Sequence, residues 1–327
     1  MNKFAFTCGD INGIGPEIAV KALNKLYKRK STGLIFICPE NVFRQTIKKT
    51  RIDFKYDIID KKELTGLQNV SVLNIDVADQ TIGAPTKESG EASFRSIKTS
   101  FELANEKIVD GIITAPISKT ALKLAGINFP GHTEMYAGWC RKNNFAMTFL
   151  SAKMNAALLT IHEPIKKVSR LITEDLIRSK FDLLLEMLRN DLKINSPRIA
   201  VLGLNPHAGE NGYIGREEEE IIKPVIKLAK YSKNFFGTFS PDAFFANRLY
   251  SKYDLVLGMY HDQVLIPFKL LNFGNGVNYT AGLQIVRTSP DHGTAFDIAG
   301  KNKADESSIL HAFYYAEKIV NNRKKNS

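Results

Sequence analysis

The sequence predicts a two-lobed α/β protein with mostly parallel sheets flanked by helices. Its 327 residues, 44% of them apolar, exceed the usual size of one domain and can fill sizeable cores. Short apolar runs alternate along the chain with amphipathic stretches, which is the pattern of repeated βα units.

The first run, "FAFT" (4–7), leads into "GDINGIGPEIAVKAL" (9–23). Gly13 and Gly15 permit a tight turn, Pro16 suits a first helical position, and Glu17 suits the positive end of a helix. The turn lacks both the Gly-x-Gly-x-x-Gly pattern and a P-loop lysine, so a βα turn is expected there, with a phosphate cradle as the alternative. "GLIFIC" (33–38) and "GIITA" (111–115) are the next strands. In "FPGHTEMYAGW" (129–139), His132 and Thr133 precede a helix expected near Glu134. Thr133 is either its N-cap or, with His132 and the free N–H groups, part of an anion site.

"AALLTI" (156–161) is followed by His162. The segment 174–190 is a helix, because Leu176, Ile177, Phe181, Leu184, Leu185 and Leu188 fall on one face. "RIAVLGL" (198–204) runs into "NPHAGENGYIGREEEE", which holds His207. The acidic run there reads as a solvated first helical turn from Glu217, since adjacent carboxylates point apart. "DLVLGM" (254–259) is followed by "YHDQ" with His261.

Three of the six histidines thus stand just beyond strands. Ligands of open parallel sheets gather outside the carboxyl ends of strands, so His162, His207 and His261 form a candidate metal site. Three neutral imidazoles would leave a divalent ion open positions from which to polarise substrate oxygens, and imidazole favours zinc, cobalt or manganese over magnesium. Lys269, Asn278 and Arg287, nine residues apart, supply a cation, an amide and a guanidinium suited to an acidic phosphorylated substrate. Asp242 in "FSPDAFF" is a candidate helper in proton transfer, or an N-cap.

The motifs "GDINGIGPE", "TAPISK", "GHTE", "NPHAGENGYIGREE", "YHDQVLIPFK", "NFGNGVN" and "VRTSPDHGTAFDIAGK" occur in the order found in the 4-hydroxythreonine-4-phosphate dehydrogenase family, which the chain resembles over nearly its whole length. The resemblance implies an isocitrate/isopropylmalate dehydrogenase-like fold and a homodimer whose site lies at the dimer interface. It implies NAD-dependent, metal-assisted oxidation of 4-phosphohydroxy-L-threonine, with decarboxylation to 3-amino-2-oxopropyl phosphate, in pyridoxal phosphate (vitamin B6) biosynthesis. Carried over by position, the metal ligands fall on His162, His207 and His261, with zinc, magnesium or cobalt as the ion. Substrate binding falls on His132, Thr133, Lys269, Asn278 and Arg287. The cofactor would lie near His292, Gly293 and Thr294. Two departures stand out: Ile11-Asn12 where the family commonly has Pro-Ala, and Val264 where glycine is common, which would restrict the backbone if that position needs a positive φ.

The lobes are expected at 1–128 plus 262–327 and at 129–261, with the site in the cleft between them; no Gly/Ser linker marks the boundaries. The rival readings are a sister dehydrogenase acting on another phosphorylated hydroxy acid, such as a sugar-acid phosphate, and a metal-stabilised binding protein without turnover. The net charge of +11 resides mainly in stretches such as 21–30 and 321–327 and is read as solvated faces that help draw in an anionic substrate, since no nucleic-acid motif accompanies it. Cys8, Cys38 and Cys140 lack metal or disulfide spacing, and no apolar run is long enough to span a bilayer. A cytoplasmic protein without nucleic-acid or membrane partners is expected.

Overall fold

The computed structural model describes residues 1–29, 31–60, 70–129, 131–272 and 274–325. The chain forms two compact units, Met1–Arg141 with Gln284–Val320, and Lys142–Leu283 with Asn321–Ser327. The breaks therefore fall later than the sequence suggested: 129–141 stay with the first unit, and 262–283 and the last residues go to the second.

In the first unit, strands β1 (Asn2–Thr7), β2 (Thr32–Cys38), β3 (Tyr56–Ile59), β4 (Val70–Asn74), β5 (Gly111–Ile113) and β12 (Val286–Pro290) pair in the order β3-β4-β2-β1-β5-β12. Every pairing is parallel. Strands β2, β5 and β12 are buried throughout, which explains why two of them read as unbroken apolar runs. Helices α1 (Gly15–Leu26), α2 (Glu40–Lys49), α3 (Lys87–Asn105), α4 (Lys119–Leu124) and α5 (His132–Trp139) connect them.

Helix α3 begins with a capping box: Thr86 Oγ1 accepts from the Ser89 N–H, and Ser89 Oγ accepts from the Thr86 N–H. It presents a buried row of Ser89, Ser93, Ser96 and Ser100. Ser93 Oγ donates to the Gly9 carbonyl at 2.9 Å and Ser96 Oγ to the Ile37 carbonyl at 2.7 Å. The row thereby satisfies backbone groups where β1 and β2 run out, which apolar side chains could not do.

The second unit holds β6 (Ala146–Leu150), β7 (Ala156–Leu158), β8 (Ile199–Leu202), β9 (Phe235–Phe239), β10 (Leu255–Gly258) and β11 (Val277–Ala281), ordered β11-β6-β7-β10-β8-β9. The β6 pairings are antiparallel and the rest parallel. Its helices are α6 (Ile165–Leu171), α7 (Glu174–Asn190), α8 (Lys223–Lys227), α9 (Pro241–Ala246) and α10 (His261–Asn272). Helix α7 has the bounds its periodicity predicted and an N-cap at Thr173, whose side chain accepts from the Leu176 N–H. Helix α11 (Ser307–Lys324) ends the described chain. Near its end, Arg323 Nε donates to Asp191 Oδ1 at 2.7 Å and Arg323 Nη2 to Tyr279 Oη at 2.8 Å, tying the last residues to α7 and β11.

Val264 needs no positive φ. It lies in helix α10, fully buried, with a side chain pressed against Gly258, where a Cβ would come within 1.9 Å of Val264 Cγ2. The glycine that this packing requires sits on β10 instead. Asn12, the other departure, is buried and organises the neighbouring turn: Nδ2 donates to the Ala84 carbonyl at 2.9 Å and Oδ1 accepts from the Thr81 N–H at 2.8 Å.

Candidate active site

Strands β7, β10 and β8 are successive parallel neighbours, so their carboxyl ends share one edge of the second unit. Each of the three histidines lies beyond the end of its strand, separated from it by a short irregular segment. Strand β7 stops at Leu158, and His162 follows in a left-handed conformation at φ 52°. Strand β10 stops at Gly258, and His261 is the first residue of α10. Strand β8 stops at Leu202, and His207 opens a turn whose residues His207 to Asn211 have φ between 44° and 78°.

The His162 and His261 rings lie side by side, 5.7 Å between centroids. His261 Nδ1 is 2.7 Å from Asp262 Oδ1. His207 belongs to an open hollow of ≈ 500 Å³ that is also lined by Asp242, Tyr260, Asp262 and Gln263. Among the described residues no three His, Cys, Asp or Glu side chains are gathered closely enough to hold one ion. The structure thus pairs two of the expected ligands. Their donor type suits a divalent ion, and His207 lies in the hollow that Asp262, next to His261, also lines.

That turn is anchored by a residue the sequence reading assigned to solvent. Glu218 is fully buried, and its carboxylate accepts from the Asn205 N–H and from Asn205 Nδ2, both at 2.8 Å. Asn205 Nδ2 also donates to Glu217 at 2.8 Å. Glu219 and Glu220 do face outward, pairing with Lys223 and Arg216. A left-handed turn of non-glycine residues is intrinsically unfavourable, and this buried carboxylate offsets part of that strain. Asp242 is exposed in the first turn of α9, where Ser240 and not Asp242 is the N-cap. Its carboxyl is held below the ordinary range by the Ser240 hydroxyl, then by the Ala243 N–H, with His207 adding to the effect.

In the first unit, helix α5 starts at His132, with Gly131 at the N-cap position; Thr133 is buried inside the first turn. His132 Nε2 is closed off from solvent without a hydrogen-bond partner. Burial, and then the nearby Arg287 charge, push its pKa well below the usual imidazole value, so it is neutral at pH 7. Arg287 on β12 is 1% exposed and donates from Nε at 3.0 Å and Nη2 at 2.6 Å to Thr114 Oγ1. Its Cζ stands 5.9 Å from the Tyr136 ring centroid. Burial brings its pKa down to about 10, which keeps it a cation. A buried cation and an unsatisfied imidazole thus stand together, with the nearby Glu134 charge favouring the cationic form of Arg287.

Thr114 and Tyr136 went unread in the sequence. Thr114 stands just beyond β5 in "TAPISK", at a parallel-strand end, and Tyr136 is one helical turn after His132; both signals were present. Lys269 and Asn278 belong to the second unit, Lys269 exposed on α10 and Asn278 on β11 with Oδ1 buried and without a partner. The even spacing of Lys269, Asn278 and Arg287 therefore does not reflect one element.

His292, Gly293 and Thr294 form a loop beyond β12, with His292 Nδ1 3.1 Å from the Gly293 carbonyl. Thr294 and, further along the chain, Ala304 are both fastened to the opening motif. Ile14 N–H donates to the Thr294 carbonyl at 3.0 Å, and Glu17 Oε1 accepts from the Ala304 N–H at 2.8 Å. A Cβ on Gly13 would stand 2.7 Å from the Thr294 carbonyl oxygen, so that glycine serves close backbone approach.

The family model described as pyridoxal phosphate biosynthetic protein PdxA matches residues 30–316. The chain belongs to the PdxA family. A relative from Sulfurihydrogenibium named 4-hydroxythreonine-4-phosphate dehydrogenase is 40% identical over 99% of this chain and 100% of its own. The crystal structure of a 4-hydroxythreonine-4-phosphate dehydrogenase from Klebsiella pneumoniae superposes with a TM-score of 0.83 at 34% identity, covering 98% of each chain. A 37% identical protein of Oceanobacillus iheyensis, matched over 96% of both chains, bears the name "Putative D-threonate 4-phosphate dehydrogenase". Isocitrate dehydrogenase from Methylococcus capsulatus, at 13% identity and a TM-score of 0.50 over 99% of this chain and 87% of its own, shares the fold. This PdxA family member is accordingly an enzyme, an oxidoreductase with an isocitrate dehydrogenase-like architecture. Among its described residues no helix is long and apolar enough to cross a membrane.

Proposed function

We propose that the protein oxidises 4-phosphohydroxy-L-threonine with NAD and releases CO₂ to leave 3-amino-2-oxopropyl phosphate, in pyridoxal phosphate biosynthesis. The observation that carries this reading is full-length kinship with 4-hydroxythreonine-4-phosphate dehydrogenases. His162, His261 and His207 are the residues that would hold a divalent ion, zinc, cobalt or magnesium. Such an ion would supply Lewis-acid polarisation of the substrate's hydroxyl and carboxylate oxygens, and NAD near His292, Gly293 and Thr294 would supply the hydride acceptor.

The chain's own residues do the rest. Arg287, Lys269 and Thr133 bind the phosphorylated, anionic substrate. His132, neutral because it is buried beside Arg287, donates or accepts a hydrogen bond without adding charge, and its unsatisfied Nε2 supports that role. Asn278 offers its buried, unpartnered Oδ1 to a substrate donor. Asp242, ionised at neutral pH, receives the hydroxyl proton in transit; its low pKa makes it a poor final resting place. Oxidation of the hydroxyl carbon creates a β-keto acid, from which the electron pair of the bond to CO₂ moves toward the new carbonyl.

We further propose a cytoplasmic homodimer. Ile266 and Leu270, 60% and 80% exposed on α10, support a covered surface there, and three buried cysteines outside any disulfide suit a reducing compartment. A sister reaction on a phosphorylated sugar acid is the second reading, favoured by the name of the Oceanobacillus relative. The test is NADH formation from 4-phosphohydroxy-L-threonine and from D-threonate 4-phosphate, with chelator-stripped protein refilled with zinc, magnesium or cobalt and His261→Ala as control. Metal-dependent turnover of the first substrate supports the reading; turnover of the second alone replaces it.

A further inference from the structure

Four residues beside the histidines form a continuous chain of hydrogen bonds across three strand ends. The Met259 carbonyl accepts from the Thr160 N–H at 3.2 Å and from Thr160 Oγ1 at 2.6 Å. On its other side, the Met259 N–H donates to Gln263 Oε1 at 2.7 Å. Gln263 Nε2 then donates to the Gly203 carbonyl at 2.6 Å. Thr160 continues β7 toward His162, Met259 continues β10 toward His261, and Gly203 continues β8 toward His207.

The last backbone pairs of the ladder are Gly258 with Leu158 and Leu257 with Val201. Between β10 and β8 the next rung is supplied by a side chain. A primary amide has the donor and acceptor of a peptide group in one plane, and it can therefore bridge an N–H on one strand and a C=O on the next. Glutamate accepts but does not donate, and methionine does neither. Residue type at this position is thus constrained by both neighbours at once.

We infer that Gln263 is a positioning residue, standing in for a backbone rung and fixing the spacing of the three histidine-bearing strand ends; this rests on the assignment of His162, His207 and His261 as ligands. Outer partners of metal ligands typically change affinity by about 10- to 100-fold when removed. Gln263 acts one step further out, at the backbone from which the ligands hang, and so an effect of about tenfold is expected.

The experiment compares wild type with Gln263→Met, which cuts both arms, Gln263→Glu, which keeps the bond from Met259, and Thr160→Val, which removes only the hydroxyl branch. Imidazole ring resonances of the chelator-stripped proteins and cobalt(II) titrations read by visible absorption are recorded for each. In Gln263→Met the His207 resonance shifts along with that of His261, and cobalt binds about tenfold more weakly with an altered spectrum. Gln263→Glu, which serves if the methionine variant does not fold, moves His207 more than His261. Movement of His261 alone, or cobalt binding unchanged in affinity and spectrum, overturns the proposal. Wild-type protein that takes no cobalt would overturn the ligand assignment instead, and the His207 resonance would still decide the part played by Gln263.

Discussion

Arg287 and Thr114 are joined inside the first unit by two hydrogen bonds, guanidinium Nε and Nη2 both donating to one threonine hydroxyl oxygen. The arginine is 1% exposed, so its orientation is set by what it donates to. Removing the hydroxyl leaves two charged donors short of an acceptor. Thr114→Val should lower stability by about 1–3 kcal/mol and raise KM for the phosphorylated substrate more than it lowers kcat. Thermal midpoints and steady-state kinetics check both; an unchanged KM would detach Thr114 from substrate binding. Arg287→Lys should fare worse, because a point charge cannot reproduce the fork.

His132 gives the stability curve a pH dependence of defined sign. Its folded pKa lies well below its unfolded one. At pH values between the two, the unfolded chain binds the extra proton, and stability is lost as pH falls below about 6.5. Above that value the contribution is complete. The slope from this one group is at most about 1.4 kcal/mol per pH unit. Urea midpoints measured from pH 7 down to pH 5.5 should fall less steeply in His132→Gln than in wild type; parallel curves would refute the burial argument.

Glu218→Ala should loosen the His207 turn. It strands the Asn205 N–H and opens a space beside Gly209, where a Cβ would lie 2.6 Å from Glu218 Oε2. A loss of about 1–3 kcal/mol is expected, together with faster amide exchange from Pro206 to Gly212. Glu218→Gln, which retains one acceptor oxygen, should recover part of the protection.

The Asp191 carboxylate, 4% exposed, accepts from Arg323 and from the Tyr279 hydroxyl at 2.5 Å. Asp191→Ala leaves a largely buried guanidinium without its counter-charge, and the expected loss is about 3–5 kcal/mol. The urea midpoint of the second unit should drop accordingly. Double replacement with Arg323→Met should restore much of it, since removing both charges avoids the uncompensated one.

Six strands were legible as runs of apolar residues, because strands covered on both faces have no polar alternate positions: β1, β2, β5, β7, β8 and β10. Strand β12 was not, because it carries the buried Arg287, and β11 was not, because Asn278 and Thr280 interrupt it. On β12 the arginine is held by Thr114, a pairing that only the folded chain discloses. The three histidines were found by their position after strands, yet each lies beyond a short irregular segment that hydrophobic pattern does not encode. Glu218 was misread for a related cause. Four glutamates in a row are chemically alike in sequence, and only the backbone of the preceding turn decides which one points inward.

The first unit is interrupted by the second along the chain, and this has a consequence in time. When residues 1–141 have left the ribosome, β3, β4, β2, β1 and β5 are present, but β12 is not. At roughly 5–20 residues per second, the missing strand follows after roughly 7–30 s. During that interval β5 presents a bare parallel edge, the kind of surface on which chains pair with the wrong neighbour. Slower translation would lengthen that exposure, so the yield of native protein in a cell should respond to codon speed between 142 and 283, a stretch none of whose strands pairs with β5.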